Sequence, residues 1–201
     1  MRHLIVIGAL LAGSAVIAGT NVDTTPPPAG SISTEQGLQA WGRVFEVTSH
    51  PRCSNCHVGE SDRPMWSGPS YGTARVHGMN VRAGESRIGA EFLPCQTCHS
   101  ATEHAQDLPH AAPRVGMSWQ LAPVEADWFG RSSEEVCAQL RDPERNGDRG
   151  FQELAEHLDH DLILHWAWSP GPGREPAPYD LQAHVRDILE WGVAGMPCPQ
   201  D

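Results

Sequence analysis

Positive charge is scarce in this chain: 14 Lys and Arg stand against 25 Asp and Glu, a net charge of −11. Phosphate backbones are bound by clustered basic side chains, so this balance argues against a nucleic-acid partner. Aromatic residues fill only 6% of the 201 positions and hydrophobic residues 39%. No long alternating strand occurs, and no internal repeat beyond two short motifs. After residue 18, no apolar run approaches the roughly 20 residues of a membrane-spanning helix. Backbone punctuation is plentiful instead. The 20 Gly and 17 Pro leave few stretches for long regular elements, although they stay below the roughly 25–30% of a low-complexity chain. So thin an apolar inventory predicts that something other than side chains helps to fill the core.

Met1-Arg2-His3 is basic, and Leu4–Ala18 is an uncharged apolar run closing on Val16-Ile17-Ala18. This is the layout of an export signal, and the run is too short for a retained anchor. Residues 1–18 are therefore predicted to be a signal peptide cleaved near Ala18. Residues 19–32, with Pro26-Pro27-Pro28, read as an extended linker, and 33–201 as one domain. The mature form is expected in the periplasm without a membrane span. Removing residues 1–18 takes away Arg2 and no acid, which leaves the remainder one unit more negative.

Four of the six cysteines form Cys53-Ser54-Asn55-Cys56-His57 and Cys95-Gln96-Thr97-Cys98-His99. Each is Cys-x-x-Cys-His, the attachment pattern of c-type haem. Two thiols on one turn of chain can each form a thioether with a haem vinyl group. The histidine that follows then lies under the iron as its proximal ligand. Cys53, Cys56, Cys95 and Cys98 are thus predicted to bind two covalent haems, with His57 and His99 on the irons. A zinc ribbon fits less well, because 38 residues separate Cys56 from Cys95 where roughly 15–20 are usual. A thioredoxin-like pair lacks its βαβ setting, and disulfides within Cys-x-x-Cys are strained. Cys137 and Cys198 lack haem spacing. Pairing them would close a loop of about 60 residues, worth about 4 kcal/mol in loop entropy; two buried free thiols are the alternative.

Two irons need up to two further ligands. The candidates are His50, His77, His104, His110, His157, His160, His165 and His184, with Met65, Met79, Met117 and Met196. His77, in Val76-His77-Gly78-Met79, is the only histidine between His57 and His99, and Met79 is its rival. A helix over Phe151–Trp166 would carry Phe151, Leu154, Ala155, Leu158 and Leu162 on one face. At about 100° per residue His165 falls on that face, His157 at its edge and His160 opposite. Periodicity alone prefers His165, with His110 and Met117 still open.

The remaining pattern is helical with long irregular loops. Ser33–Gln36 reads as a capping box that opens a helix to about Val47. Ser132–Glu135 starts a second helix to Arg141, and Asp180 caps a last one to Trp191, ended by Gly192. Residues 58–94 and 100–130 read as loops packed on the haems. The fold class expected is mainly α, built around two covalent haems.

These features together resemble a family of small dihaem c-type cytochromes labelled as an isoquinoline 1-oxidoreductase subunit and associated with molybdenum hydroxylases. The matching residues are the two haem motifs, His77-Gly78-Met79-Asn80-Val81, Trp119-Gln120-Leu121-Ala122-Pro123, Asp142-Pro143, Asn146-Gly147, Glu156-His157, Trp166–Gly171, Cys137 and Cys198-Pro199. They span roughly residues 36–200. The resemblance implies His77 and His157 as the distal ligands, against the face argument for His165, with His77 on the Cys53/Cys56 haem.

The function expected is electron transfer, not catalysis: an iron with both axial positions filled has no open site for substrate. The resemblance adds a donor, a molybdenum-hydroxylase-type dehydrogenase, and a respiratory acceptor. The acidity permits a basic docking surface on the partner, and equally an ordinary role in solubility. The alternative function is a haem enzyme or gas sensor, peroxidase-like, with Met79 or Met117 as a displaceable ligand.

Overall fold

The computed structural model describes residues 22–68, 72–102 and 108–199. The predicted export signal and His104 lie outside the described residues. Helices dominate: α1 (Thr34–Thr48), α2 (Pro51–Ser54), α3 (Ser133–Arg141), α4 (Pro143–Asn146), α5 (Phe151–His160), α6 (Leu162–Trp168) and α7 (Leu181–Val193). Among the described residues, no helix is long and apolar enough to cross a membrane.

The helix starts follow from local chemistry. Ser33 accepts from the Gln36 backbone while the Gln36 side chain reaches back to Ser33, and Ser132 with Glu135 repeats the arrangement at α3. Both satisfy amide groups that the first turn leaves without partners. Ala40, Trp41, Val44 and Val47 share one face of α1 and are all buried. Ala40, Trp41 and Val44 meet Val185, Ile188, Leu189 and Trp191 of α7 in a core shared with α3 and α5, while Val47 packs with Ala167 and Ala177. The crossing of α1 with the end of α7 is close because Gly37 has no side chain: a Cβ there would lie 2.3 Å from the Ala194 Cβ. Arg43 of α1 holds the buried Asp187 carboxylate of α7 at 2.6 Å.

A disulfide joins Cys137 and Cys198 inside this core, with Cα atoms 5.7 Å apart. It ties α3 to the tail that follows α7.

Three local expectations are corrected. The helix read over Phe151–Trp166 is two helices. Asp161 is extended (φ −88°, ψ 109°), and its carboxylate accepts from the Ile163 and Leu164 amides at 2.8 and 3.4 Å. A short polar side chain here competes with helix continuation and wins. The last helix runs through Gly192 to Val193. Residues 58–94 contain an antiparallel pair, β1 (Met65–Gly68) and β2 (Gly72–Val76), in register Met65 to Val76. The start of the described Pro-rich segment is tied to α5 and α7. Val22 donates to Asp159 at 3.0 Å, and Asp23 and Gln182 exchange hydrogen bonds of 2.7 and 3.0 Å.

Candidate haem-binding site

The two Cys-x-x-Cys-His segments stand on two neighbouring cavities. Pro51 starts α2, and the His50 ring caps it by accepting from the Arg52 amide at 3.2 Å. That cap gives His50 a structural task. The turn sets Cys53 and His57 in the wall of a cavity of about 100 Å³, and Cys56 in the wall of one of about 260 Å³. The second motif begins as a 3-10 turn over Cys95–Thr97 after Pro94. Cys95, Cys98 and His99 line the larger cavity. Helix α6 divides the two, with Trp166 on the larger and Ala167 and Trp168 on the smaller.

None of the four motif cysteines is in a disulfide. Burial pushes the Cys53 thiol up to about 12 and Cys56 to about 11, and raises Cys95. A redox-active pair has a depressed thiol instead. Among the described residues, no three His, Cys, Asp or Glu are grouped to hold a bare metal ion.

In the larger cavity His99 Nδ1 donates to the Pro113 carbonyl at 3.0 Å, and His77 Nδ1 to the Gly78 carbonyl at 3.0 Å. A carbonyl only accepts, so each ring carries a proton on Nδ1. Trp119 stacks on His99 at 4.9 Å, and Trp66 of β1 lies 5.8 Å from His77. Met79 and Asn80 adopt consecutive positive φ angles, 60° and 55°, just after His77. Such backbone is uncommon for residues other than glycine. Burial lowers the His99 pKa to about 4.

The smaller cavity lies among α1, α5, α6 and α7. His157 of α5 and His184 of α7 line it with His57. Burial drives His57 to about 3, offset in part by the Ala126 backbone, and also lowers His157. Three buried nitrogens around His57 lack hydrogen-bond partners: His57 Nδ1, Trp128 Nε1 and His184 Nδ1. Buried polar atoms are nearly always paired, so this cluster suits a larger polar-edged occupant. Trp128 stacks on His57 at 3.4 Å with planes 3° apart. A macrocycle would fit there only after Trp128 leaves that face. The donor sets beside both cavities are those that c-type haem would require.

His77 therefore stands with His99, and His157 with His57. The expected pairing of His77 with the Cys53/Cys56 motif concerns this same cavity, which Cys56, Cys95 and Cys98 all line with His77 and His99. His165 is occupied elsewhere, since Nε2 donates to the Leu158 carbonyl at 2.9 Å. The break at Asp161 removes it from the face that a continuous helix would give it. His110 lines the larger cavity but is exposed, Met79 lines it at 83% exposure, and Met117 is not among the lining residues of either cavity. Met196 packs on the helical core, His160 is exposed, and Met65 lines the larger cavity. His184, one of the candidate ligands, lines the smaller cavity; sequence reasoning missed Trp128, Arg52 and Arg174 as wall residues, since as isolated residues they carry no pattern.

No protein-family model, curated protein or solved structure matches the chain.

Proposed function

We propose that the chain is an exported dihaem c-type cytochrome that relays single electrons, neither haem serving as a site of catalysis. One observation carries this reading. Each of two adjacent cavities has the histidine and at least one cysteine of a Cys-x-x-Cys-His motif in its wall and a second histidine beside it, His99 with His77 and His57 with His157. Cys95 and Cys98 would hold one haem and Cys53 and Cys56 the other. When bound, haem iron supplies the one-electron chemistry, at a potential set by axial ligands, burial and hydrogen bonds. The Nδ1 bonds of His77 and His99 to backbone carbonyls orient both rings and raise their basicity as ligands. Four histidines suffice for both irons, which leaves neither open to substrate. The shared wall at residues 51–57 and α6 would keep the two haems close.

The resemblance to the isoquinoline 1-oxidoreductase subunit family supplies the setting of the proposal. The donor would be a molybdenum-hydroxylase-type dehydrogenase, and the acceptor a respiratory carrier with a basic docking face. The sequence supports export to the periplasm. The test is the purified, exported protein. A pyridine haemochrome assay should count two haems per chain, and CO should leave the reduced Soret band unmoved. Absence of haem would overturn the reading, and a large CO shift at one haem would favour the enzyme or sensor.

A further inference from the structure

The larger cavity has a cationic wall in a chain whose net charge is −11. Arg52 and Arg174 line it, and among the described residues none that lines it is Asp or Glu. The Arg52 side chain is only 6% exposed. Its Nε donates to the Glu175 carbonyl at 2.6 Å, and its Nη2 lies 3.6 Å from the Glu175 carboxylate. Arg174 donates through Nη1 to the Pro170 carbonyl at 3.4 Å and through Nη2 to the Ala111 carbonyl. Both guanidinium groups sit over the Trp166 ring, 5.2 and 5.9 Å from its centre.

Two positive charges at an apolar cavity are costly unless anions complete them. Backbone carbonyls have no net charge, and an aromatic face offsets only a small part. Glu175 answers one of the two arginines. The planar fork of Arg matches a carboxylate with two parallel hydrogen bonds. We infer that Arg52 and Arg174 clamp the carboxylates of the group seated in this cavity. Resting on the dihaem reading, this assigns them to the propionates of the haem held by Cys95 and Cys98. Arg52 directly precedes Cys53, whose thiol lines the other cavity. One short helix would thus anchor one haem and set the charge around its neighbour.

The experiment uses the exported holoprotein as wild type, Arg174→Gln, Arg174→Lys and Arg52→Gln. Haems are counted by pyridine haemochrome, and both midpoint potentials are titrated spectroelectrochemically from about pH 5 to 9. Losing a nearby positive charge favours ferric iron, so Arg174→Gln should lower one potential and leave the other in place. A propionate freed from its arginine binds a proton more readily, so that same potential should gain a pH dependence near neutrality. Arg174→Lys, which keeps the charge, should shift it less. Two haems with unchanged potentials and pH profiles in Arg174→Gln would overturn the clamp, as would an equal shift of both. If the buried Arg52→Gln chain does not accumulate, Arg174→Gln still decides. A wild type without haem sinks the dihaem reading itself, a separate failure.

Discussion

His77 and His99 share one cavity with their ring centres 6.1 Å apart, and each gives its Nδ1 proton to a backbone carbonyl at 3.0 Å. On the proposed reading, both imidazoles would hold the haem carried by Cys95 and Cys98.

The first prediction tests both pairs. His77→Ala and His157→Ala should each turn one low-spin ferric haem high-spin in low-temperature EPR. The double variant should give twice the high-spin intensity of either single one, and added imidazole should restore the low-spin signal. A fully low-spin His77→Ala protein would exclude His77 as a ligand.

How much of this was legible depended on the range of the forces. The capping boxes at Ser33 and Ser132 act within four residues, and the sequence displays them. The Cys-x-x-Cys-His motifs are local chemistry as well. The break at Asp161 was hidden because the apolar spacing from Phe151 runs on through Leu162, while one carboxylate decides between two hydrogen-bonding schemes. The partner of His77 depends on the path of the β1–β2 hairpin, which is tertiary. Arg52, Arg174, Trp128 and His184 come from segments far apart in sequence, so no spacing could gather them.

The second prediction concerns the disulfide, which closes a sequence separation of 61 residues. Replacing Cys137 and Cys198 together by Ala should cost about 4 kcal/mol of stability, mostly through the unfolded state. Urea unfolding of the holoprotein would measure it. The haem count should stay unchanged, because neither residue lies in a haem motif.

The third prediction follows from Gly192, which sits inside α7 rather than beyond its end. A Cβ at that position would lie 2.0 Å from the Phe151 ring, so Gly192→Ala must push α5 away from α7. Overpacking of this kind costs about 1–3 kcal/mol, well above the gain in helix propensity. Thermal unfolding should show a lower midpoint. The companion variant Gly192→Ala with Phe151→Leu, which makes room for the methyl group, should recover part of the loss.

The last prediction is a pH dependence. His184 is 3% exposed, its Nδ1 has no partner, and burial lowers its pKa to about 3. In the unfolded chain it titrates near the usual 6.5. Below that value the unfolded chain binds a proton that the native protein refuses, so protonation pulls toward unfolding. The penalty is absent above about pH 6.5 and grows by about 1.4 kcal/mol per pH unit until the native pKa near 3 is reached. His184→Phe removes the titrating group at similar volume. The stability of wild type relative to this variant should therefore fall by about 2 kcal/mol between pH 7 and pH 5. A difference that stays constant over that interval would mean that His184 accepts its proton in the native protein, with the cavity wall open to water.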